Sequence, residues 1–358
     1  MDGKNPRERL STKINTMRVA VYYNNHDVRL EEMPTPKIGP GELLMRVEAS
    51  GICGSDLLEW YRLAKAPLVL GHEVAGVIAA VGEEVSRYKV GDRISVAHHV
   101  PCNICHYCLT GHHTVCETLR RTNFEPGGFA EYVRLPAINV DRGIFSLPDE
   151  ISFEEATFIE PLACVLRGQR LAHIQPGYSV LVLGSGIAGL LHIKLARALG
   201  AVRIMATDVV DYRLEAASRF GADVVTCARG YTPAYLRQVN DGRLADMVVV
   251  CTEATSAISQ ALQSVEHGGT IVFFASVAPG VTIPLSVNDL FFRNEITLTS
   301  SYGGSPADYA TALELIRSGR VYVQDMITHR LGLAETGLGF QIVAQAQDSI
   351  KVIIEPQR

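Results

Sequence analysis

The spacing of hydrophobic and polar residues changes twice along the chain. From Met17 to about residue 160, short apolar runs such as LLMRVEAS and VAGVIAAVG are separated by Pro and Gly, which predicts a compact β-rich unit with irregular loops. From about residue 162 to residue 298, apolar runs such as YSVLVLG, VRIMATD and TIVFFAS alternate with helical stretches. This alternation predicts βαβ units around a parallel sheet.

These patterns predict an α/β protein with two domains. Residues 17–162 together with 300–358 are predicted to form the β-rich domain, because an amphipathic stretch at 306–318 and the run SIKVIIE return to its pattern. Residues 163–299 are predicted to form a doubly wound parallel sheet. The length of 358 residues agrees with two domains. Residues 1–16 are polar without an apolar run, so we expect a loose N-terminal extension and no secretory signal.

Composition and charge narrow the classes of function. Hydrophobic residues make up 47% and charged residues 20%, which is typical of a folded globular protein. Lys and Arg number 33 against 38 Asp and Glu, so the net charge of -5 does not favour binding to nucleic acid. The most apolar stretch, at 179–193, is shorter than a membrane span. Eight cysteines without an export signal favour reduced thiols with metal or catalytic roles, and we expect a cytoplasmic protein.

Four cysteines stand in one polar, turn-forming loop with the spacing C-x2-C-x2-C-x7-C. They are Cys102, Cys105, Cys108 and Cys116. This spacing lets four thiolates converge on one tetrahedral ion, and a shell of four sulfurs leaves no open position. The pattern therefore predicts a structural zinc site; four unrelated thiols are the alternative.

A second group of zinc-competent residues is scattered along the first half of the chain. It comprises Cys53 in GICGSD, His72 and Glu73 in GHE, and Glu160 in EPLA. Taken singly, a His in an apolar run is more often a packed core residue, and a Glu before Pro is more often the start of a helix. Only the combination of these residues with the cysteine loop and the βαβ half points to a catalytic metal.

A glycine motif marks a dinucleotide site. Gly184, Gly186 and Gly189 form GSGIAG between the strand-like VLVL and a predicted helix, where free N–H groups of the helix start can bind a pyrophosphate. Asp208 ends the next predicted strand, at the place where an acidic side chain accepts hydrogen bonds from the adenosine ribose. Its charge would repel a 2′-phosphate, so NAD is favoured over NADP. Arg213 is the one nearby residue that weakens this preference.

The motifs GICGSD, LGHEVAGVI, VGDRISV, the four-cysteine loop, GGFAEYV, EPLA and VLVLGSGIAG occur in that order. In this order they resemble the zinc-containing medium-chain alcohol and polyol dehydrogenases, in particular the sorbitol and threonine dehydrogenase branch. The resemblance covers the chain from Met17 onward. It implies a GroES-like β-rich catalytic domain and a Rossmann domain that binds NAD. It also implies two zinc ions per chain, one catalytic and one structural.

The resemblance also assigns residues. It implies that Cys53 and His72 are ligands of the catalytic zinc, with Glu73 and Glu160 sharing the remaining protein position; the choice between the two stays open. Asp56 corresponds to the carboxylate that orients the ligating His, with a turn Asp that caps the following helix as the alternative. Ser55 corresponds to the hydroxyl that relays the substrate proton, although an isolated Ser here is equally typical of a turn.

The same resemblance extends to the cofactor. It places an Arg at the position of Arg213 beside the adenine or ribose of NAD. Four further residues occupy positions that contact the pyrophosphate or nicotinamide, or else belong to ordinary packing at strand ends: Ala188, Thr252, Ala275 and Ser300.

Some positions depart from the family pattern. Polyol dehydrogenases carry His and Tyr where this chain has Leu58 and Glu59, so the imidazole relay is missing. We expect protons to leave by another route, through a water held by Glu160 or Glu59. Ser301 and Tyr302 replace an Arg-Tyr pair of sorbitol dehydrogenases, which removes an Arg that binds polyol hydroxyls. Three aromatic residues line the pocket or belong to the core, and the core is slightly favoured: Trp60, Tyr61 and Phe124.

The expected function is oxidation of a secondary alcohol, polyol or sugar hydroxyl to a carbonyl, with hydride transfer to NAD. The alternatives are a threonine 3-dehydrogenase-like enzyme or a simple alcohol dehydrogenase. Outside this chemistry, a metal-free NADPH-dependent quinone or enone reductase and a non-catalytic nucleotide-binding protein remain. We expect a homodimer or homotetramer, in which the segment 281–287 pairs across a twofold axis.

Overall fold

The computed structural model describes residues 16–358, so residues 1–15 of the predicted extension lie outside the described residues. The predicted limit of the extension was wrong by one residue. Thr16 begins the first strand and pairs with Pro34 of the second. It belongs to the strand because its backbone continues the antiparallel pairing of the apolar residues that follow.

The β-rich part contains ten of the sixteen strands found in residues 16–358, which are numbered in chain order. They are β1 (Thr16–Asn24), β2 (Asp27–Pro34), β3 (Leu43–Gly51), β4 (Leu68–Val69), β5 (Glu73–Val81), β6 (Arg93–Val96), β7 (Tyr132–Leu135), β8 (Ile144–Ser146), β15 (Ile327–Gly332) and β16 (Lys351–Glu355). Strands β2-β1-β4 form one sheet, and a seven-stranded sheet has the order β15-β16-β3-β5-β6-β8, with β7 against β3. Alternate residues of β3, such as Leu43, Met45 and Val47, are buried in the core of this sheet, as the period of a strand requires.

The remaining six strands form the parallel sheet that the sequence predicts. They are β9 (Ser179–Leu183), β10 (Arg203–Asp208), β11 (Val224–Cys227), β12 (Ala245–Val250), β13 (Val265–Phe273) and β14 (Thr297–Ser300). Their order is β11-β10-β9-β12-β13-β14, and every neighbouring pair is parallel. The order reverses between β9 and β12, which makes this a doubly wound sheet with a ligand crevice at the carboxyl ends of the central strands.

Twelve helices complete the described part of the chain. They are α1 (Glu59–Arg62), α2 (His106–Leu109), α3 (Glu117–Arg121), α4 (Ala137–Arg142), α5 (Phe153–Ala156), α6 (Ile159–Leu171), α7 (Ile187–Ala198), α8 (Asp211–Arg219), α9 (Pro233–Val239), α10 (Thr255–Ser264), α11 (Pro306–Arg317) and α12 (Thr336–Gln345). Helices α6, α7 and α11 share one hydrophobic core with a face of the parallel sheet. None of the helices in residues 16–358 has the length and apolar character needed to cross a membrane.

Two elements lie across the predicted domain limits. Ser300, predicted to open the second part of the β-rich domain, ends β14 and pairs with Phe273 of the parallel sheet. Pairing with β13 satisfies the backbone hydrogen-bonding groups of Ser300. The local sequence pattern does not reveal this pairing. Helix α6 runs through the predicted limit between residues 162 and 163 and carries Glu160 in its first turn. The final strand β16 pairs with β3 and so joins the chain terminus to the β-rich part.

Candidate active site and metal centres

The four-cysteine loop brings its thiols together. The Sγ atoms of Cys105 and Cys108 lie 3.5 Å apart, those of Cys102 and Cys116 3.6 Å apart, and those of Cys102 and Cys108 4.0 Å apart. Tetrahedral zinc with Zn–S bonds of about 2.3 Å places its sulfurs about 3.8 Å from one another. The loop therefore fits one zinc ion.

The backbone of this loop also favours thiolates. The N–H of Cys105 donates to Cys102 Sγ at 3.3 Å, and the N–H of Cys102 donates to Cys116 Sγ at 3.4 Å. Burial opposes ionisation, but backbone N–H groups of Cys102 and Leu119 lower the pKa of Cys116 to about 6. Burial raises the pKa of Cys108 to about 12, so the backbone favours the thiolate form, which metals bind, at Cys116 and not at every cysteine of the loop.

The second group of zinc-competent residues is assembled from two separate segments. Cys53 precedes a single turn of 3-10 helix at Gly54–Leu57, and His72 precedes β5, which begins at Glu73. One ligand atom each of Cys53, His72 and Glu73 lies within 4.8 Å of the others. A thiolate, an imidazole and a carboxylate are a zinc donor set that leaves a position open for a substrate.

Asp56 orients this group. Its carboxylate accepts a hydrogen bond from the Cys53 N–H at 3.1 Å and lies 3.3 Å from Nδ1 of His72. Nε2 of His72 is thereby left for a metal. Burial opposes ionisation, but His72 and Arg62 hold the pKa of Asp56 below its usual range. Asp56 therefore closes the turn that carries Cys53 and also contacts the imidazole of His72.

A buried lysine pairs with Glu73. Nζ of Lys351 in β16 contacts the Glu73 carboxylate, and the side chains of Lys351 and Glu73 are 0% and 1% exposed. The same Nζ lies 3.5 Å from the carbonyl oxygen of Ile52, next to Cys53. The pair gives the buried carboxylate a partner of opposite charge, because a buried charge without a partner is costly.

Glu160 lies beside the metal-competent group but is not one of its members. It is buried in the first turn of α6 and accepts a hydrogen bond from the thiol of Cys164 at 3.4 Å. Burial, opposed by His72 and assisted by Glu73, raises the pKa of Glu160 to about 7. This carboxyl group can therefore hold or release a proton near neutral pH.

Ser55 and its neighbours surround the same centre. Oγ of Ser55 lies 3.4 Å from Cys53 Sγ, and Arg62 donates from Nε to the Ser55 carbonyl at 3.0 Å. Glu59, expected as one holder of a water at the metal, points elsewhere. Its carboxylate accepts a hydrogen bond from the N–H of Asn25 in the turn between β1 and β2. That part of the prediction was wrong, because the turn offers Glu59 an unpaired donor.

The aromatic residues were predicted only in part. Phe124 is buried in the β-rich core, as expected. Trp60 and Tyr61 are 43% and 40% exposed, so the preference for core positions was wrong for both. They lie on α1, a helix of four residues without a buried position. Tyr302 is 55% exposed, and burial, together with the nearby Tyr61 and Glu160, raises its pKa.

The predicted cofactor residues gather at the carboxyl edge of the parallel sheet. Leu183 pairs with Val250, Val250 with Phe273, and Phe273 with Ser300, so these strands end at one level. Five predicted residues stand at or just after the strand ends, or in the helix that follows β9: Ala188, Asp208, Thr252, Ala275 and Ser300. This edge is where dinucleotides bind in doubly wound sheets.

The glycine loop has the shape that a pyrophosphate requires. Gly184 has a positive φ of 94°, and a Cβ on Gly189 would lie 1.9 Å from the Gly184 carbonyl oxygen. Gly186 precedes α7, and the start of this helix has no side-chain cap. The guanidinium of Arg213 lies 3.9 Å from where a Cβ of Gly186 would be, and its Nε is buried without a protein partner. Free amides, close approach and an unpaired cation fit a dinucleotide phosphate.

Asp208 fastens the loop to the sheet. Its carboxylate accepts hydrogen bonds from the N–H groups of Ser185, Val209 and Val210 at 2.7, 2.7 and 3.0 Å. Thr252 lies against Gly184 from the end of β12, and Ala275 donates its N–H to the Val250 carbonyl. The loop is thus held between two neighbouring strand ends.

Sequence reasoning missed three residues of the metal region. Lys351 had a signal, since a lysine inside the apolar run SIKVIIE is unusual unless it has a buried partner. Arg62 and His98 had none. The ring of His98 lies 4.9 Å from that of His72, centre to centre, although the two are far apart in sequence.

Comparison with known proteins agrees with this geometry. Residues 39–149 match the family model of the alcohol dehydrogenase GroES-like domain, and residues 188–318 match that of the zinc-binding dehydrogenases. The two models together span more than half of the chain. They correspond to the predicted combination of a GroES-like part and a Rossmann part.

Relatives of known name cover nearly the full length. Sorbitol dehydrogenase of Bacillus subtilis is 31% identical over 352 residues, which cover 96% of this chain and 98% of that protein. D-xylulose reductase A of Aspergillus oryzae is 31% identical over 348 residues, covering 92% and 94%. Among solved structures, an alcohol dehydrogenase of Escherichia coli in complex with NADH has a TM-score of 0.85 at 25% identity, covering 96% of this chain and 100% of that chain.

The fold, the two clusters of metal-competent residues and the full-length relatives lead to one family. They disfavour the metal-free reductase, because that class has no use for the Cys53, His72 and Glu73 cluster. The chain belongs to the zinc-dependent medium-chain alcohol and polyol dehydrogenases, oxidoreductases that transfer a hydride between a hydroxyl-bearing carbon and NAD.

Proposed function

We propose that this enzyme oxidises a secondary hydroxyl of a polyol or sugar derivative to a ketone at a zinc ion held by Cys53, His72 and Glu73. The observation that carries the proposal is the approach of these three side chains to within 4.8 Å of one another. The relatives named sorbitol dehydrogenase and D-xylulose reductase support a polyol-type substrate. Glu73 is assigned as the third protein ligand because Glu160 lies outside the cluster.

Zinc, NAD and the residues of the chain have separate roles in the proposed reaction. Zinc supplies a Lewis acid that makes a hydroxyl more acidic, and NAD supplies the hydride acceptor. Asp56 fixes the tautomer and orientation of His72 through its contact with Nδ1. Ser55, next to Cys53, is placed to accept the hydroxyl proton at Oγ. Glu160, with its pKa of about 7, is placed to hold a proton on its way to solvent in the absence of a relay imidazole at position 58.

The cofactor site takes NAD in preference to NADP. Gly184, Gly186 and Gly189 with the start of α7 bind the pyrophosphate, and Arg213 lies beside the adenosine part. Asp208 ends β10, where an acidic residue would meet the adenosine ribose, and its carboxylate would repel a 2′-phosphate. Ala188, Thr252, Ala275 and Ser300 complete the contacts along the carboxyl edge of the sheet. Cys102, Cys105, Cys108 and Cys116 hold a second, structural zinc.

The direct test is NADH formation, followed by its ultraviolet absorbance, over simple secondary alcohols, diols, polyols, aldoses and L-threonine. We expect turnover that is lost after chelation and restored by zinc. NADPH formation at equal or higher kcat/KM would contradict the role of Asp208. Absence of turnover in a preparation with two zinc ions per chain would place the substrate outside these classes, and a single zinc would exclude the catalytic ligand set.

The protein is proposed to act as a homodimer or homotetramer in the cytoplasm. The segment 281–287 has no regular structure except for its last residue, and it exposes Val281, Leu285 and Val287. A second copy would cover these apolar side chains, since exposed apolar patches mark association surfaces. No disulfide joins any of the eight cysteines, all of which lie within residues 16–358, and this is typical of a reducing compartment. Light scattering on the purified enzyme measures the oligomeric state.

A further inference from the structure

An arginine occupies the turn that carries the catalytic cysteine. Arg62 ends α1, and its guanidinium donates from Nε to the Ser55 carbonyl at 3.0 Å. Nη2 lies 3.5 Å from Ser55 Oγ and 3.4 Å from the Asp56 carboxylate. The Arg62 side chain is 14% exposed, so a largely desolvated cation lies next to the proposed proton acceptor.

This cation is only partly neutralised. The Asp56 carboxylate is shared with the Cys53 N–H and with His72, and its contact with Arg62 is the longest of the three. Within residues 16–358, Nη1 of Arg62 donates to no protein acceptor. Glu59 on the same helix is turned toward Asn25 and does not compensate the charge. Arg62 therefore keeps donors and charge available for a ligand.

A second positive charge lies on the same short segment. Nζ of Lys65 lies 3.8 Å from the ring centre of Tyr61, and the guanidinium of Arg62 lies 4.9 Å from that centre. Lys65 has no carboxylate partner among the described ion pairs. The segment 59–65, which borders the metal-competent group, thus presents two cations around an exposed tyrosine.

A histidine ring faces the same region with an unused nitrogen. The ring centre of His98 lies 4.9 Å from that of His72 and 4.0 Å from that of His99. Nδ1 of His99 lies 2.6 Å from the Thr122 carbonyl, whereas Nδ1 of His98 is buried without a partner. An imidazole carries at least one N–H, and Nδ1 of His98 has no protein partner within residues 16–358 that would occupy it.

We propose that Arg62 and His98 form an oxyanion subsite beside the catalytic metal, so that the preferred substrate carries a carboxylate or phosphate group near the hydroxyl that is oxidised. The proposal rests on the proposed dehydrogenase function. A guanidinium matches the geometry of an oxyanion and binds it more strongly than it binds a neutral hydroxyl. An uncharged polyol would leave the Arg62 charge with only its long contact to the shared Asp56 carboxylate.

Calorimetry on the zinc-loaded enzyme tests the subsite without turnover. Saturating NAD keeps the pyrophosphate site occupied while inorganic phosphate, D-gluconate or sorbitol is titrated. We expect phosphate or gluconate to bind the wild type, and Arg62→Met to weaken that binding about 10- to 100-fold. Arg317→Met removes a surface charge of α11 and is the matched control with unchanged affinity. Absence of oxyanion binding to the wild type, or equal binding to Arg62→Met, would overturn the proposal.

Kinetics separate the two sources of an oxyanion and guard against misfolding. We expect the wild type to have a higher kcat/KM for sorbitol 6-phosphate or gluconate than for sorbitol. The variant His98→Phe keeps a ring but loses the donor, so it should raise KM for the anionic substrate more than for sorbitol. Zinc content is measured for every variant, and Arg62→Lys should restore part of the oxyanion affinity. An equal loss of kcat for neutral and anionic substrates, with oxyanion binding intact, would make Arg62 a support of Ser55 only and overturn the subsite.

The same data keep this proposal distinct from the dehydrogenase function. Oxyanion binding that depends on Arg62, without oxidation of any substrate, would support the subsite and contradict the proposed function. If the enzyme oxidises sorbitol but its oxyanion binding does not depend on Arg62, the result supports the proposed function and contradicts the subsite.

Discussion

The two metal-competent clusters are built in opposite ways. The four-cysteine loop takes all its ligands from one stretch of fifteen residues, Cys102 to Cys116, and its sulfurs already have the spacing of a tetrahedral ion. The proposed catalytic group joins Cys53 to His72 and Glu73, and Glu73 contacts Lys351 near the end of the chain. The first cluster is local and closed, whereas the second is non-local and open.

This difference has a physical consequence. A local shell of four thiolates can use its full binding energy to order a loop. An open site must hold a charged carboxylate and an imidazole in place without a complete shell, so it relies on partners such as Asp56 and Lys351. We therefore expect substitutions at the first cluster to affect stability and substitutions at the second to affect chemistry.

Loss of a catalytic ligand should have the largest effect. Cys53→Ser or His72→Ala is expected to abolish NADH formation, because the metal loses a ligand at the reacting position. NADH affinity, measured by fluorescence titration, should stay close to that of the wild type. Cys227→Ser, which changes an exposed thiol outside both clusters, is the control. A large loss of NADH affinity in either active-site variant would contradict the separation of the two sites.

Cys105→Ser should act mainly on stability. Structural zinc binding contributes on the order of 10 kcal/mol to ordering a small site, so its loss should lower the melting temperature clearly. Metal analysis is expected to find one zinc per chain, and the fraction that stays folded should keep its kcat. A variant of normal stability without activity would show that the two clusters do not divide these roles.

Lys351→Met tests whether the open site depends on its buried partner. Removal of one member of a buried ion pair costs about 3–5 kcal/mol, because the other charge is left unpaired. Urea denaturation should show this loss, and the added Glu73→Gln should recover part of it. An unchanged midpoint in Lys351→Met would contradict a contribution of the buried pair to stability.

Asp56→Asn should weaken the catalytic metal without touching the structural one. Partners that orient a ligating His contribute about 10- to 100-fold to metal affinity or activity. Competition with a chelator, followed by metal analysis, should show that one zinc leaves more readily while the second is retained. Equal release of both ions would contradict the model of independent sites.

The loss of folding stability in acid has two candidate causes, release of zinc and protonation of the buried His192. Burial lowers the pKa of His192 in α7 to about 3, so the folded state stays neutral where the unfolded state gains a proton. Stability is complete above the ordinary pKa of about 6.5 and is lost as the pH falls toward 3, by about 2 kcal/mol at pH 5. Denaturation of His192→Gln and the wild type at pH 7.5 and 5 measures the difference. If the wild type and His192→Gln lose the same free energy of unfolding between pH 7.5 and 5, His192 is excluded as the cause and metal release remains.

Much of the fold and the site was visible in the sequence. The alternation of apolar strands with helices predicted the parallel sheet. The spacing C-x2-C-x2-C-x7-C predicted converging thiols, and the structure places three pairs of their sulfurs 3.5–4.0 Å apart. Other features were not visible. Glu59 was expected near the metal and turns to Asn25, while Trp60 and Tyr61 are exposed rather than core. These residues lie on a helix of four residues, where no periodic pattern exists to indicate which face is buried.

The sequence alone determined the parts of this protein that depend on short spacings: the glycine loop after β9, the four-cysteine loop, and the βαβ order. Local geometry decides such features, because neighbouring residues are held close by the chain itself. Only the tertiary structure decided which carboxylate joins Cys53 and His72, and that Lys351, Arg62 and His98 surround them. Those contacts cross between strands, helices and the chain terminus, and packing brings them together across separations that no local pattern records.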